Sequence, residues 1–179
     1  QTPAMDQLHW LGKELEKAKA ANEKVWLLMH IPPGLNGYST AKSVKTGGAA
    51  VTFWQPAVTS AFLRLVHEYG DTVQTAFCGH THMDDYRVVR LEGKPVLLTK
   101  IAPGVSPIFG NNPGFQILQY DRSTGLLKNF QTHFLNVSGT DGKATPAANQ
   151  QWAVEYDFQQ AFGLEEVTAD SVEQLADRI

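Results

Sequence analysis

Two short apolar runs, each leading into a histidine beside glycine or proline, constrain this chain most. Residues 24–30 (KVWLLMH) end in His30 and are stopped by Pro32-Pro33-Gly34, and residues 72–78 (TVQTAFC) lead into Gly79-His80-Thr81-His82. Runs of this length and composition predict buried strands, and glycine and proline predict where they end. Because sites in open α/β sheets lie at the carboxyl ends of strands, we expect these histidines at one edge of a sheet.

The rest of the chain predicts one mixed α/β unit. Apolar residues at helical spacing predict helices over residues 5–21 and 56–69, and residues 35–55 are predicted to be a long loop. Further strands are expected, with a hairpin at Glu92-Gly93. They cover residues 86–91, 94–99, 114–120 and 126–135. Residues 138–149 are predicted to be a surface linker, and residues 152–162 and 171–179 to be helices.

Composition narrows the class of protein. A chain of 179 residues with 42% hydrophobic content can bury one ordinary core. Its net charge of −3 and pI near 6.1 give no field that favours nucleic acid or an anionic membrane. The apolar runs are too short for a transmembrane span. Cys78 is the only cysteine of the sequence, which excludes an internal disulfide and a cysteine-based zinc cluster. Its place on a predicted strand indicates a buried, structural thiol.

The histidine pair indicates metal chemistry. Side chains two residues apart on an extended backbone project from the same side, with Cα atoms roughly 6–7 Å apart. This spacing suits ligands of two neighbouring metals about 3.5–4 Å apart, and Gly79 lets the backbone pass close to a metal or phosphate. Three histidines cannot complete such a centre, and no plausible bridging carboxylates stand near them in sequence. The chain is therefore expected to carry part of a site.

Several further motifs narrow the interpretation. They are His30-Ile31-Pro32-Pro33-Gly34, residues 77–84 (FCGHTHMD), residues 102–107 (APGVSP), residues 111–115 (NNPGF), and the tail with Trp152, Tyr156 and residues 162–164 (FGL). With these motifs, in this order, the chain resembles the calcineurin-like metallophosphoesterases, and within them the acid sphingomyelinase-like phosphodiesterases. The resemblance covers nearly the whole chain.

The resemblance implies a metal-binding role for three residues. His30 and His80 would ligate one ion and His82 the other, in a centre of two divalent metals. Zinc is the first expectation, with iron or manganese as alternatives, since neutral imidazoles suit all three. The mechanism implied is attack on phosphorus by a metal-bridged hydroxide, so no residue of this chain is expected to act as a catalytic group.

Four other residues are candidates for supporting the site. Asp84 is a candidate for holding a metal ligand, on its position alone. Asn111 and Asn112, on a proline-rich loop, are candidates for the border of a substrate pocket. Trp54 ends the long loop, and the sequence leaves open whether it belongs to the core or faces a substrate.

The chain also departs from the family pattern. The family's first half supplies an Asp-x-His pair, a Gly-Asp motif and a Gly-Asn-His motif, and none of them is found here. We therefore expect the C-terminal half of a four-layer αββα sandwich, with a mixed sheet and C-terminal helices. Residues 1–137 would form this half of the domain, and residues 138–179 the linker and helical extension. Its expected partner is the missing N-terminal half, and the fragment alone is expected to self-associate.

The expected function is hydrolysis of a phosphoric diester or a pyrophosphate. The substrate class is a phosphate-ester small molecule or a lipid headgroup, and the resemblance favours a secreted or periplasmic protein. Two alternatives stay open: a phosphomonoesterase or nucleotidase of the same superfamily, and a non-catalytic binding module on the same scaffold. For the isolated chain we expect little or no hydrolysis and weak metal binding, since the bridging carboxylate is missing.

Overall fold

Helices alternate with strands in the first part of the chain and give way to an antiparallel sheet. The computed structural model describes residues 2–137 and 150–176. The helices of this part are α1 (Pro3–Ala20), α2 (Gly37–Lys45), α3 (Pro56–Glu68), α4 (Phe158–Phe162) and α5 (Ala169–Ala176). Its strands are β1 (Val25–Leu28), β2 (Val73–Cys78), β3 (Asp85–Leu91), β4 (Lys94–Ile101), β5 (Gly114–Tyr120), β6 (Leu127–Leu135) and β7 (Trp152–Asp157).

The first sheet is mixed and has the strand order β1-β2-β4-β3. Strands β1, β2 and β4 are parallel, whereas β3 returns antiparallel to β4 through the predicted hairpin, in which Glu92 and Gly93 both have positive φ (51° and 80°). Leu28 lies opposite Phe77, and Cys78 lies opposite Ile101. The carboxyl ends of all three parallel strands therefore meet at one edge of the sheet.

The second sheet is an antiparallel meander of β5, β6 and β7. The turn between β5 and β6 is closed by Asp121, whose Oδ1 accepts hydrogen bonds from the backbone N–H groups of Ser123 (2.7 Å) and Thr124 (3.0 Å). These bonds and one from the Ser123 hydroxyl hold the pKa of Asp121 down, at about 2. The turn fixes the pairing of the two strands that face the first sheet.

The first sheet is covered on both faces. Leu97 and Leu98 are adjacent in β4 and point to opposite faces, as the pleat of a strand requires. On one face, helices α1 and α3 pack over a buried cluster of Leu15, Leu27, Phe62, Val66, Val73, Ala76 and Leu97. The other face meets the second sheet and the last two helices through Leu98, Leu127, Phe130, Phe158, Leu164, Val167, Val172 and Leu175. The predicted α/β architecture with a mixed sheet and helices is confirmed.

Two predicted elements are wrong. The predicted loop 35–55 contains helix α2, which begins after Asn36, where the side chain accepts a hydrogen bond from the backbone N–H of Ser39 at 3.0 Å. This helix buries none of its residues, so its sequence has no apolar stripe from which a helix could be predicted. Strand β7 occupies the first half of the predicted helix 152–162, because pairing with β6 outweighs local preference. The predicted linker 138–149 lies outside the described residues.

The thiol of Cys78 is buried at the end of β2, as predicted. Burial raises its pKa to about 11, only partly opposed by the charge of Arg87. A thiol with this pKa is a poor nucleophile near neutral pH. Within the part of the chain that the structure describes, no helix is long and apolar enough to cross a membrane.

Candidate metal centre

His30 and His80 lie side by side at the carboxyl ends of neighbouring parallel strands. His30 follows β1 and His80 follows β2, and the backbone N–H of Gly79 donates to the carbonyl of His30 at 3.0 Å. The two imidazoles meet edge to face, with ring centroids 5.2 Å apart and an interplanar angle of 83°. Both side chains are exposed to solvent, so a ligand can reach them.

His82 lies on the other side of a tight turn. Both His80 and His82 have positive φ (71° and 59°), a conformation that costs free energy in residues other than glycine. The His82 ring packs against Phe109 at 5.0 Å between centroids. Its Nδ1 is buried and has no hydrogen-bond partner among the described residues. One nitrogen of the His82 imidazole is therefore left without a hydrogen bond. A histidine that ligates a metal needs a nitrogen of this kind.

Gly104 leaves the space that His82 occupies. A Cβ atom on Gly104 would lie 2.9 Å from Cβ, Cγ and Nδ1 of His82. The two segments are also joined by a hydrogen bond from the Gly104 N–H to the His82 carbonyl at 3.2 Å. The loop after β4 is thereby packed directly against the histidine turn, and glycine is required at the contact.

Two of the three histidine rings lie close to each other, at a separation that sharing one ion would allow. Two imidazoles that share a tetrahedral zinc ion at about 2 Å have ring centroids roughly 5 Å apart, close to the separation of His30 and His80. The described residues contain no group of three or more His, Cys, Asp and Glu side chains placed to hold one ion. The His82 ring contacts Phe109, whereas the rings of His30 and His80 contact each other. The assignment of the histidines to two ions stays a prediction.

Asp84 accepts hydrogen bonds from four strands, one of the first sheet and three of the second. Its carboxylate pairs with the ammonium of Lys100 in β4 and accepts bonds from Gln116 Nε2 in β5 (2.9 Å), Thr132 Oγ1 in β6 (2.7 Å) and the Tyr156 hydroxyl in β7 (2.8 Å). The contacts of Asp84 thus differ from the direct bond to a histidine ring that its position suggested. Its carboxylate ties the histidine turn to both sheets.

The same hydrogen bonds and the ion pair set the pKa values of Asp84 and Lys100. Burial alone would raise the pKa of Asp84, but the ammonium of Lys100 and the donated hydrogen bonds outweigh it and lower the pKa. Burial lowers the pKa of Lys100, against the opposing pull of the Asp84 charge. We take the pair as ionised, since the Lys100 ammonium also has the carbonyls of Asp85 and Ile101 as acceptors, each at 3.1 Å.

Trp54 packs against the core and also lines an open cavity, and its contact with a substrate stays a prediction. It is half-buried, packs against Phe62 of α3 at 5.1 Å between centroids, and donates from Nε1 to the Ile31 carbonyl at 3.2 Å. It also lines a largely apolar open cavity of about 660 Å³, together with His30 and residues of α1 and α3. Trp54 thereby anchors residues 31–54 at the edge of the site.

Phe53 and Arg87 are neighbours of the site that the sequence did not indicate. The Phe53 ring lies 5.2 Å from that of His80, and the Arg87 guanidinium lies over Phe53 at 5.3 Å. Arg87 also donates to the carbonyls of Pro33 and Leu35 at 3.1 and 2.8 Å. These contacts fix the loop after His30 beside the histidines, and no local sequence pattern marks them.

The two asparagines are engaged mainly in loop structure. Asn111 Nδ2 donates to the carbonyls of Ser106 (3.3 Å) and Asn112 (3.2 Å), whereas Asn112 Oδ1 accepts from the Val137 N–H at 3.1 Å. Asn111 Oδ1 is buried without a partner among the described residues. Both residues therefore shape the loop that carries Phe109, and their place at a substrate pocket stays a prediction.

Curated proteins confirm the resemblance. The chain is 29% identical to human "Acid sphingomyelinase-like phosphodiesterase 3b" over 97% of its own length and 37% of that protein's. Bovine "Cyclic GMP-AMP phosphodiesterase SMPDL3A" is 28% identical over 98% of this chain and 38% of its own. Human "Sphingomyelin phosphodiesterase" is 28% identical over 91% of the chain and 24% of its own length.

Each of these relatives is a phosphodiesterase by name. The chain is therefore a homologue of the acid sphingomyelinase-like phosphodiesterases. No family model matches it. The chain spans less than two fifths of the length of these three relatives.

Proposed function

We propose that this chain carries the histidine side of a two-metal phosphodiester hydrolase of the acid sphingomyelinase-like type. The observation that supports it most is the pairing of His30 and His80 at adjacent strand ends, with ring centroids 5.2 Å apart. Strand ends of this kind are the usual place of a site in an open α/β sheet. The homology to named phosphodiesterases supports the same reaction class.

In this proposal each histidine has a stated task. His30 and His80 hold one divalent ion, and His82 holds the second through an imidazole nitrogen. When bound, the ions draw electrons from the phosphoryl oxygens and lower the pKa of a water. Zinc is the proposed metal, with iron or manganese as alternatives, because imidazole suits all three.

The proposal also requires ligands beyond this chain's three histidines. Strand β1 pairs with β2 on one side, and its Leu28 is 79% exposed. We infer that a companion half of the protein, carrying the carboxylate ligands, completes a four-layer sandwich along this edge. Without that half each ion is under-coordinated, so the isolated chain is proposed to be nearly inactive.

The proposed substrate is a phosphoric diester with either a lipid headgroup or a small-molecule ester. Relatives whose names specify sphingomyelin and cyclic GMP-AMP support the diester bond as the shared feature. We further propose that the whole protein is secreted or periplasmic, which cell fractionation with an antibody against this chain tests. Recovery in the cytosol alone would contradict that location.

The experiment that tests the function uses the whole protein in which this chain occurs. We expect metal-dependent hydrolysis of bis(4-nitrophenyl) phosphate that exceeds hydrolysis of 4-nitrophenyl phosphate, is lost on chelation and returns with zinc. His80→Ala should lower the rate at least about hundredfold. His67→Ala, at an exposed position in α3, is the matched control and should leave it unchanged.

Other outcomes point to the alternatives. Faster cleavage of the monoester would indicate a phosphomonoesterase. Absence of hydrolysis with metal bound would indicate a binding module, and full activity in His80→Ala would contradict the proposed site.

A further inference from the structure

We propose that Asp84 and Lys100 are positioning residues that hold the His80–His82 turn in the shape that ligates metal. This inference rests on the proposed function, because it assigns the turn a ligating role. In this role Asp84 does not bond to a histidine ring. Its carboxylate instead restrains the backbone two residues after His82. The pair is called the Asp84–Lys100 clamp below.

The clamp joins the turn to both sheets at once. The Asp84 carboxylate has one donor from each of β4, β5, β6 and β7, namely Lys100, Gln116, Thr132 and Tyr156. A carboxylate accepts about four hydrogen bonds, so its capacity is filled. Displacing Asp84 therefore breaks contacts to four strands together, and the end of the turn is fixed relative to the whole fold.

The side chain of Lys100 is also fixed, by burial and by its hydrogen bonds. Its side chain is 1% exposed, and its ammonium reaches the Asp84 carboxylate and the carbonyls of Asp85 and Ile101. The ammonium also lies 4.8 Å from the centroid of the Phe130 ring in the core between the sheets. A lysine so deeply buried is expensive unless every proton is bound. A buried lysine at the end of β4 therefore points to a task that an apolar side chain would not perform.

The turn needs such a restraint because its backbone is strained. His80 and His82 both occupy the left-handed region, which is unfavourable for residues other than glycine. The relaxed alternative would rotate one ring away from its present direction. A fixed point at Asp84, together with the bond from the Gly104 N–H to the His82 carbonyl, opposes that relaxation.

The test separates positioning from stability with neutral replacements. Asp84→Asn/Lys100→Met removes both charges and keeps the sizes close, and replacement of a buried ion pair by neutral groups is often tolerated. Lys128→Met is the control, since it breaks the Lys128–Glu166 ion pair between β6 and the segment before α5. All variants are made in the full 179-residue chain.

The first readout requires no metal. Amide hydrogen exchange of Gly104 reports the bond to His82, and exchange of Ala102, bonded to the Cys78 carbonyl at 2.8 Å, is the internal reference. In the double variant, Gly104 exchange should accelerate at least about tenfold more than Ala102 exchange. In Lys128→Met the two rates should keep their wild-type ratio. This result can hold even if the proposed metal function fails.

The second readout is broadening of imidazole NMR signals by Mn²⁺. The double variant should reduce the response of His82 at least about threefold and leave that of His30 within a factor of about two. An unchanged Gly104 exchange ratio would overturn the proposal, as would equal effects in Lys128→Met. Failure of the double variant to fold would also overturn it, because the clamp would then be a stability element.

Discussion

The imidazoles of His30 and His80 meet edge to face with ring centroids 5.2 Å apart, although helices α2 and α3 lie between them in the chain. Parallel pairing of β1 and β2 brings them together, since each histidine follows the carboxyl end of its strand. This separation is compatible with the proposed sharing of one ion by the two rings.

Gly104→Ala should displace His82. The added methyl group would lie 2.9 Å from three ring or Cβ atoms of His82, so the turn must shift, at a cost of about 1–3 kcal/mol of unfolding free energy. Urea denaturation measures the loss, and the His82 imidazole NMR signal should move. Gly37→Ala is the control, because an added Cβ there meets nothing within 4 Å. Equal stability of the two variants would contradict the close contact.

Asp121→Asn should lower stability in a pH-dependent way. The folded pKa of Asp121 is held at about 2 by hydrogen bonds from Ser123 and Thr124, below the ordinary value of about 3.9. The charged form therefore stabilises the fold above about pH 4, and this contribution is lost as the pH falls through about 2. Denaturation of both proteins between pH 6 and pH 2 should show a gap that narrows with acid. A gap of constant size would contradict the depressed pKa.

Cys78 should resist alkylation in the folded chain. With a pKa of about 11 its thiolate fraction at pH 8 is roughly a hundredfold below that of a free cysteine, and burial adds to the protection. Mass spectrometry after iodoacetamide treatment, with and without urea, measures both rates. Equal rates in the two conditions would show that the end of β2 is open.

Leu28→Lys should reduce self-association of the isolated chain. Leu28 is 79% exposed on the edge strand β1, and an unprotected apolar edge favours pairing with another chain. Light scattering should show a smaller mean mass for this variant at equal concentration. Val44→Lys, at a residue 58% exposed on α2, is the matched control and should behave as the parent chain does. A strictly monomeric parent chain would contradict the expectation.

The strands that deliver the histidines were predictable because local and tertiary signals agree there. Apolar runs bounded by glycine and proline define β1 and β2, and β2 is largely buried in the mixed sheet. The expectation that β1 is buried as well is wrong, because β1 is an edge strand that buries Leu27 and leaves Leu28 79% exposed. Helix α2 was missed because it buries none of its residues, and β7 because its edge pairing leaves Trp152 and Val154 exposed. Elements without a buried stripe carry little periodic signal, so sequence alone could not place them.

The positions of the three histidines at the candidate site were predictable, whereas the contacts that surround them were not. His30, His80 and His82 follow strand ends, which periodicity and turn residues mark. Lys100 carried one usable signal, a lysine inside the apolar run of β4 (KPVLLTKI). The donors from Gln116, Thr132 and Tyr156 gave none, because their convergence on Asp84 depends on how the two sheets pack.

The most direct test of the central claim is Mn²⁺ titration of the chain labelled at its imidazole nitrogens. Paramagnetic broadening detects even weak occupancy and reports each histidine separately. We predict that His30 and His80 broaden together, that His82 broadens with them because it lies beside the same centre, and that His67 stays sharp. Equal broadening of His67 and the three candidates, or broadening of His80 without His30, would contradict the proposed centre.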